Sequence, residues 1–136
     1  MPLALLDTDM VSEVLKRKHP SVRRNASAYL RQYHQFAFSA ITRYEALRGF
    51  KQKKASLQLQ RFVAFCQHSL VLPISEDVLD RAAELWVTGY EGGHSRNDAD
   101  LIVAATAMES GRILVTGNVP HFSWIPGLIV QDWRQP

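Results

Sequence analysis

Cysteine is nearly missing from this chain: Cys66 is the only one, which excludes an internal disulfide and any zinc site built from several thiolates. The five histidines show no metal-ligand spacing, so a histidine-based zinc centre is not expected either. No apolar run approaches the roughly 20 residues that cross a bilayer. The opening Pro2-Leu-Ala-Leu-Leu6 is short and has no basic leader, so the expected location is the cytoplasm, without a membrane partner. Charge is missing by sign and by region. Residues 1–70 hold twelve Lys or Arg against four Asp or Glu, whereas residues 71–136 hold four against nine and contain no lysine at all. The net charge of +3 therefore joins a basic half to an acidic one. A basic half on a chain of pI near 9.2 points to a polyanionic partner such as nucleic acid, with a solvated surface as the plainer reading.

What is present is ordinary globular material: 136 residues, 46% hydrophobic and 21% charged, enough for one good core, so residues 1–136 are expected to form a single domain. Leu3 to Leu6 is a short continuous apolar run, as in a buried parallel strand. Asp7-Thr-Asp9 ends it, and Met10, Val11, Val14 and Leu15 continue at helical spacing. A second helix is expected over residues 21–34, after the break at Pro20. Phe36 to Ile41 reads as a strand and Thr42 to Gly49 as a helix, with Lys51, Lys53 and Lys54 in a basic connector. Leu59, Phe62, Val63 and Cys66 mark an amphipathic helix over residues 55–68, which makes Cys66 a core residue. Leu70 to Ile74 reads as a third strand, and Ser75 as the N-cap of a helix carrying Val78, Leu79, Ala82, Leu85 and Trp86. Gly89 to Asn97 reads as a loop. Asp98 to Glu109 then reads as a helix buried on more than one side, followed by a short apolar strand ending in Thr116 and Asn118. A last strand is expected near Leu128 to Val130. Alternating strands and helices imply an α/β sandwich, a mainly parallel central sheet flanked by helices.

In that architecture the strand C-termini share one edge, where ligands bind. The acids fall there. Asp7 and Asp9 follow the first strand, Glu45 sits in the first turn after the second, and Asp98 and Asp100 open the helix before the fourth, which Asn118 follows. Taken singly, each has a structural explanation. Thr42-x-x-Glu45 matches a capping box, Asn97 with Asp100 resembles one, and acids in a first turn gain roughly 0.3–1 kcal/mol from the helix dipole. Together they imply more. Two carboxylates about 4 Å apart repel by roughly 4 kcal/mol at an effective dielectric of about 20, so acids gathered on one edge call for a cation. All-carboxylate ligation suits a hard ion, Mg²⁺ or Mn²⁺. Such an ion activates water and stabilises charge on a phosphodiester, and a basic half beside it would hold the nucleic-acid backbone.

Ala4-Leu-Leu-Asp-Thr-Asp9, Ser39-Ala-Ile-Thr-Arg-Tyr-Glu45 and Asp100-Leu-Ile-Val-Ala-Ala-Thr-Ala107 resemble the PIN-domain family, and within it the VapC toxins of toxin–antitoxin pairs. Leu114-Val-Thr-Gly-Asn118 with Phe122, and Ile125-Pro-Gly-Leu128 with Asp132 and Trp133, continue the likeness across essentially the whole chain. The resemblance implies a PIN-like three-layer sandwich and a metal-dependent endoribonuclease, with Mg²⁺ or Mn²⁺ as cofactor. Asp7, Glu45 and Asp100 map onto the core acids, as catalytic residues and metal ligands. Asn118 falls at a fourth position that is often acidic, Thr116 at a nearby polar one, and Asp98 and Asp9 at auxiliary ones. Family members of this type commonly cut tRNA or other structured RNA, form homodimers and are silenced by a cognate antitoxin in a hetero-oligomer. Arg43, Arg48 and Lys51 are the candidates for RNA contact, with Lys53 and Lys54 further off. His121 is expected on a surface loop, and Trp86, Trp124 and Trp133 in the core or an interface.

Two other classes fit part of the pattern. Asp7-Thr-Asp9 also resembles the opening of haloacid-dehalogenase-type phosphatases, but that chemistry needs a later lysine, which residues 71–136 do not supply. A catalytically inert PIN-like module that binds a partner would not require all three core acids.

Overall fold

The computed structural model describes residues 1–136. Five short strands alternate with six helices: β1 (Ala4–Leu6), α1 (Thr8–Lys16), α2 (Pro20–Tyr33), β2 (Ala37–Ser39), α3 (Ala40–Gln52), α4 (Ser56–Gln67), β3 (Leu70–Leu72), α5 (Glu76–Glu91), α6 (Asp98–Glu109), β4 (Ile113–Val115) and β5 (Val130–Gln131), with a 3₁₀ turn at Val119–His121. All the pairings are parallel. β4 lies between β1 and β5, and β2 pairs with β3. The expected single sheet is thus a three-stranded and a two-stranded hydrogen-bonded sheet set side by side, with β2 packed against β1.

The layering follows from the two-residue period of a strand. Ala4 and Leu6 of β1, with Ile113 and Val115 of β4, join a core against α1 and α2 that also takes in Phe38, Phe62 and Trp133. Leu5 and Leu114 point the opposite way, into a second core with Val78, Ala82 and Leu85 of α5 and Leu101 and Val103 of α6. Strands covered on both faces read as continuous apolar runs, which is why they were visible in the sequence. α6 is buried almost all round, since Leu101 and Val103 to Ala107 are all inaccessible.

Several boundaries differ from the sequence expectation for local reasons. The second strand stops at Ser39 instead of Ile41, because the Ser39 hydroxyl accepts from the Ile41 amide and starts α3 there. Thr42 is accordingly an inward-facing helical residue, not the cap of a box with Glu45. α3 then runs through Gly49 to Gln52 and takes in Lys51, because Phe50 packs on Phe62 with ring centroids 5.7 Å apart. That contact outweighs the roughly 1 kcal/mol penalty of a mid-helix glycine. The third strand ends at Leu72 and the last is Val130–Gln131. Cys66 is half-buried at the margin of the first core. Trp133 is fully in the core, whereas Trp86 is 42% exposed.

One buried hydrogen-bond pair fixes where β1 delivers its C-terminal acids. The Tyr29 hydroxyl of α2 accepts from the Ala4 amide at 3.1 Å and donates to the Ala4 carbonyl at 3.3 Å. Tyr29→Phe leaves that buried amide unpaired, so chemical denaturation should show a loss of about 1–3 kcal/mol with the fold retained.

Candidate active site at the acidic sheet edge

Asp7 is the N-cap of α1 and stands where β1 ends: its amide donates to Val115 O at 2.9 Å, which continues the β1–β4 ladder by one residue. Its carboxylate is buried and held from two sides. Oδ1 accepts from the Thr8 amide at 2.7 Å and Oδ2 from the Thr116 hydroxyl at 2.9 Å. Thr116, the residue just after β4, is fully buried; its Oγ1 also lies 3.4 Å from Asp9 Oδ1 and accepts from the Asn118 amide at 3.0 Å. Asp9 is held in addition by the Gly117 amide at 3.1 Å. Asp7, Asp9 and Asn118 are thereby tied to a single threonine.

Glu45 comes from α3. The Thr8 hydroxyl donates to Glu45 Oε1 at 2.8 Å and also lies 3.2 Å from Thr42 Oγ1, so Thr8 links the end of β1 to α3. Asp100 sits in the first turn of α6, whose N-cap Asn97 accepts from the Asp100 amide at 3.3 Å, as the sequence suggested. The Asp100 carboxylate faces His121, with Nδ1 3.5 Å from Oδ2. The same Nδ1 lies 2.9 Å from the Asn118 amide nitrogen. A neutral ring accepts from Asn118, whereas a protonated ring pairs with Asp100. Asp98, one position into α6, is exposed and takes part in none of these bonds.

Several of the acids lie close enough for their charges to act on one another. Asp7 is pushed up from 3.8 to about 7, first by burial and then by the charge of Asp9, with a smaller push from Asp100 and an opposing pull from the Thr8 and Thr116 hydrogen bonds. Burial also raises Asp100; His121 opposes this, while Glu45 and Asp9 add to it. The donor set is all oxygen, the chemistry of a hard divalent ion and not of zinc. No three His, Cys, Asp or Glu side chains close into a ready ligand cage. Instead each acid is anchored by its own hydroxyl, amide or imidazole partner around a common space, as uncompensated like charges require.

The basic candidates divide. Arg48 reaches Glu45 Oε2 at 3.9 Å and Lys51 is exposed one turn further along α3. Arg43 lies near Cys66 on α4, where its charge opposes the upward push of burial on the thiol. Three participants were not foreseen. His121 belongs to the site, although the sequence suggested a plain loop position. Thr8 bridges two elements; its placement between two acids at a strand–helix junction was the available signal. Arg134 donates to the Gly117 carbonyl at 2.5 Å while paired with Asp132 at 2.8 Å, so the C-terminal segment braces the loop after β4. Nothing local in the sequence marks that contact.

A buried carboxylate with a raised pKa has a signed consequence for stability. The folded state holds the Asp7 proton up to about pH 7, the unfolded chain only to about 3.8. Its contribution is complete below the lower value and is lost as pH rises through the window, at up to about 1.4 kcal/mol per pH unit. In chelator, the melting temperature of the wild type should therefore fall between pH 5 and 7.5, and Asp7→Asn should remove most of that fall. Parallel profiles for the two proteins would contradict the assignment.

Comparison with known proteins agrees with the geometry. Ribonuclease VapC2 of Rickettsia felis is 27% identical over 130 residues, covering 95% of this chain and 96% of that protein. The crystal structure of VapBC2 from Rickettsia felis bound to a DNA fragment from their promoter contains a chain that superposes with a TM-score of 0.83 at 26% identity, over 96% of this chain and 98% of that one. DNA-bound VapBC from Salmonella typhimurium gives a TM-score of 0.85 at 23% identity, over 98% and 99%, which speaks to the fold. The PIN domain matches residues 4–119, a span that contains Asp7, Glu45, Asp100, Thr116 and Asn118 together, and the chain belongs to the PIN-domain family.

Proposed function

We propose that residues 1–136 form one PIN unit that acts as a metal-dependent endoribonuclease, the toxin of a toxin–antitoxin pair. The observation that carries this reading is the buried Asp7 carboxyl, held by the Thr8 amide and the Thr116 hydroxyl with Asp9 against the same threonine, at the C-terminal edge of a parallel sheet. Asp7, Asp100 and Glu45 would hold Mg²⁺ or Mn²⁺, with Asp9 in support; when bound, such an ion supplies an acidified water and stabilises charge on a phosphodiester.

The chain's own residues do the rest. Thr116 and the Thr8 amide orient the two Asp7 oxygens, and the Thr8 hydroxyl orients Glu45. Asn118, a neutral amide at a position often acidic in the family, sets the His121 ring beside Asp100. Arg48, beside Glu45, and Lys51, further along α3, would carry RNA phosphates and supply the salt-dependent part of binding. No helix is long and apolar enough to cross a membrane, and a cytoplasmic site of action is part of the same reading.

The relatives named above support a cognate antitoxin. A groove of about 440 Å³ between α1, α2 and α4 is lined by Leu15, Val22, Leu30 and Phe65 together with Arg17 and Arg23. That chemistry suits an amphipathic segment with acidic flanks. The exposed row of Leu79, Trp86, Val87 and Tyr90 along α5 supports a homodimer. A structured RNA such as tRNA is the substrate class this reading favours.

The test is RNA cleavage with Mg²⁺ or Mn²⁺ by wild type, Asp7→Ala and Asp100→Ala. Even outer-shell changes at metal sites cost about 10–100-fold, so each variant should lose more than about a hundredfold. Equal activity in all three would sink the mechanism. RNA binding without cleavage under any divalent ion would instead favour an inert module, and phosphomonoester turnover through a phosphorylated Asp7 would favour a phosphatase.

A further inference from the structure

Beside the acids lies a second feature that the proposed chemistry does not use. α5 runs two residues past the start of the loop expected at Gly89, and Gly89 is helical and buried. A Cβ there would stand 2.8 Å from Trp124 Cη2 and 3.0 Å from Arg96 Cδ, so only glycine lets both side chains settle on α5. The loop that follows is held by aromatic contacts. The Arg96 guanidinium lies 4.6 Å over Trp86 and 5.3 Å over Tyr90, and its Nη1 donates to His94 O at 2.7 Å. The His94 ring stacks on Trp124 at 4.9 Å with the planes 10° apart, and Trp124 Nε1 donates to the His121 carbonyl at 3.0 Å.

These groups enclose a cavity of about 130 Å³ lined by His94, Arg96, Asn97 and Trp124 on one side and by Asp100 and His121 of the acidic site on the other. It is well below the several hundred Å³ of a drug-sized site, so it takes one heteroaromatic ring and not a whole nucleotide. Its walls combine flat aromatic rings with donors at their edges. The Arg96 Nε–H is buried with no acceptor, and a ring nitrogen or carbonyl oxygen of a base is the kind of group it lacks. Single-stranded RNA is read in this way, by unstacked bases laid on aromatic and guanidinium planes and bonded at their edges.

We propose that this cavity is a base-recognition subsite for the nucleotide adjoining the phosphate held at the acids, and that it gives the protein its sequence preference. The proposal rests on the ribonuclease reading for the position of that phosphate. Because Asp100 and His121 line both spaces, a base seated here leaves its own backbone at the acids. The His121 carbonyl to Trp124 bond couples the two.

The test measures binding separately from cleavage. Fluorescein-labelled homopolymeric RNAs of A, C, G or U are titrated with the full chain in Ca²⁺, which takes oxygen ligands as Mg²⁺ does. The variants are Trp124→Leu and His94→Ala, the second an exposed loop position whose change leaves the core intact. The wild type should prefer one homopolymer, and both variants should weaken that complex by about tenfold while the other three change little, as loss of one stacking contact requires. Wild-type binding alike to all four, no binding to any, or a preference that both variants retain would overturn the proposal. A wild type that keeps its base preference but cleaves no RNA with Mg²⁺ or Mn²⁺ would sustain the subsite and bring down the nuclease reading instead.

Discussion

Uncompensated negative charge at one edge of the sheet is the constraint from which the rest of the site's construction follows. Asp7 is taken out of water at the end of β1 with Asp9 and Asp100 acting on it, and its carboxyl holds a proton up to about pH 7 as a result. Carboxylates in that situation fly apart or are tied down. Here they are tied: Thr116 holds Asp7 and Asp9, the Gly117 amide holds Asp9, Thr8 holds Glu45, and His121 stands by Asp100. The buried hydroxyls in this region thus serve electrostatics as much as packing. A divalent cation would relieve the strain that they contain.

The sheet explains why those groups meet at all. β1 and β4 are parallel neighbours, so Asp7 and Thr116, far apart in the chain, leave their strands at the same edge. α3 starts at the end of β2 and α6 packs beneath, which brings Glu45 and Asp100 to that edge from the two sides of the sheet. The basic residues follow the same division. Arg23, Arg24, Arg48, Lys51 and Lys53 are exposed on the first three helices or just after them, while the acidic second half supplies α5, α6 and the strand that leads into Thr116. The half-by-half charge count is not itself the site's charge pattern: Asp7, Asp9 and Glu45 of the cup come from the basic half and only Asp100 from the acidic one. The cationic flank stands beside the cup because α3 carries both Glu45 and Arg48.

What could be read from residues alone was whatever has a short-range cause. Strands buried on both faces are apolar runs, Ser75 and Asn97 cap their helices, and acids at strand ends mark an edge, so the architecture and the core acids were legible. Failures came where distant packing overrode a local signal. Gly49 and Gly89 look like helix stops, yet Phe50 and Trp124 hold the helices together through them. Thr42 looks like a cap but is buried beneath Thr8. His121 and Arg134 act on the site only through chain paths that no spacing rule encodes, one through a 3₁₀ turn and the other through the C-terminal segment.

The central claim is that the acids are a divalent-cation site closed by neutralisation of charge. Because Asp7 is protonated up to about pH 7, binding a cation near neutrality must expel a proton. Calorimetric titration with Mn²⁺ at pH 6.5, repeated in buffers of different ionisation enthalpy, counts that proton directly. The account predicts saturable binding with net proton release in the wild type, and weak binding without release in Asp7→Asn. Binding of equal strength in both proteins, or wild-type binding with no proton released, would contradict it.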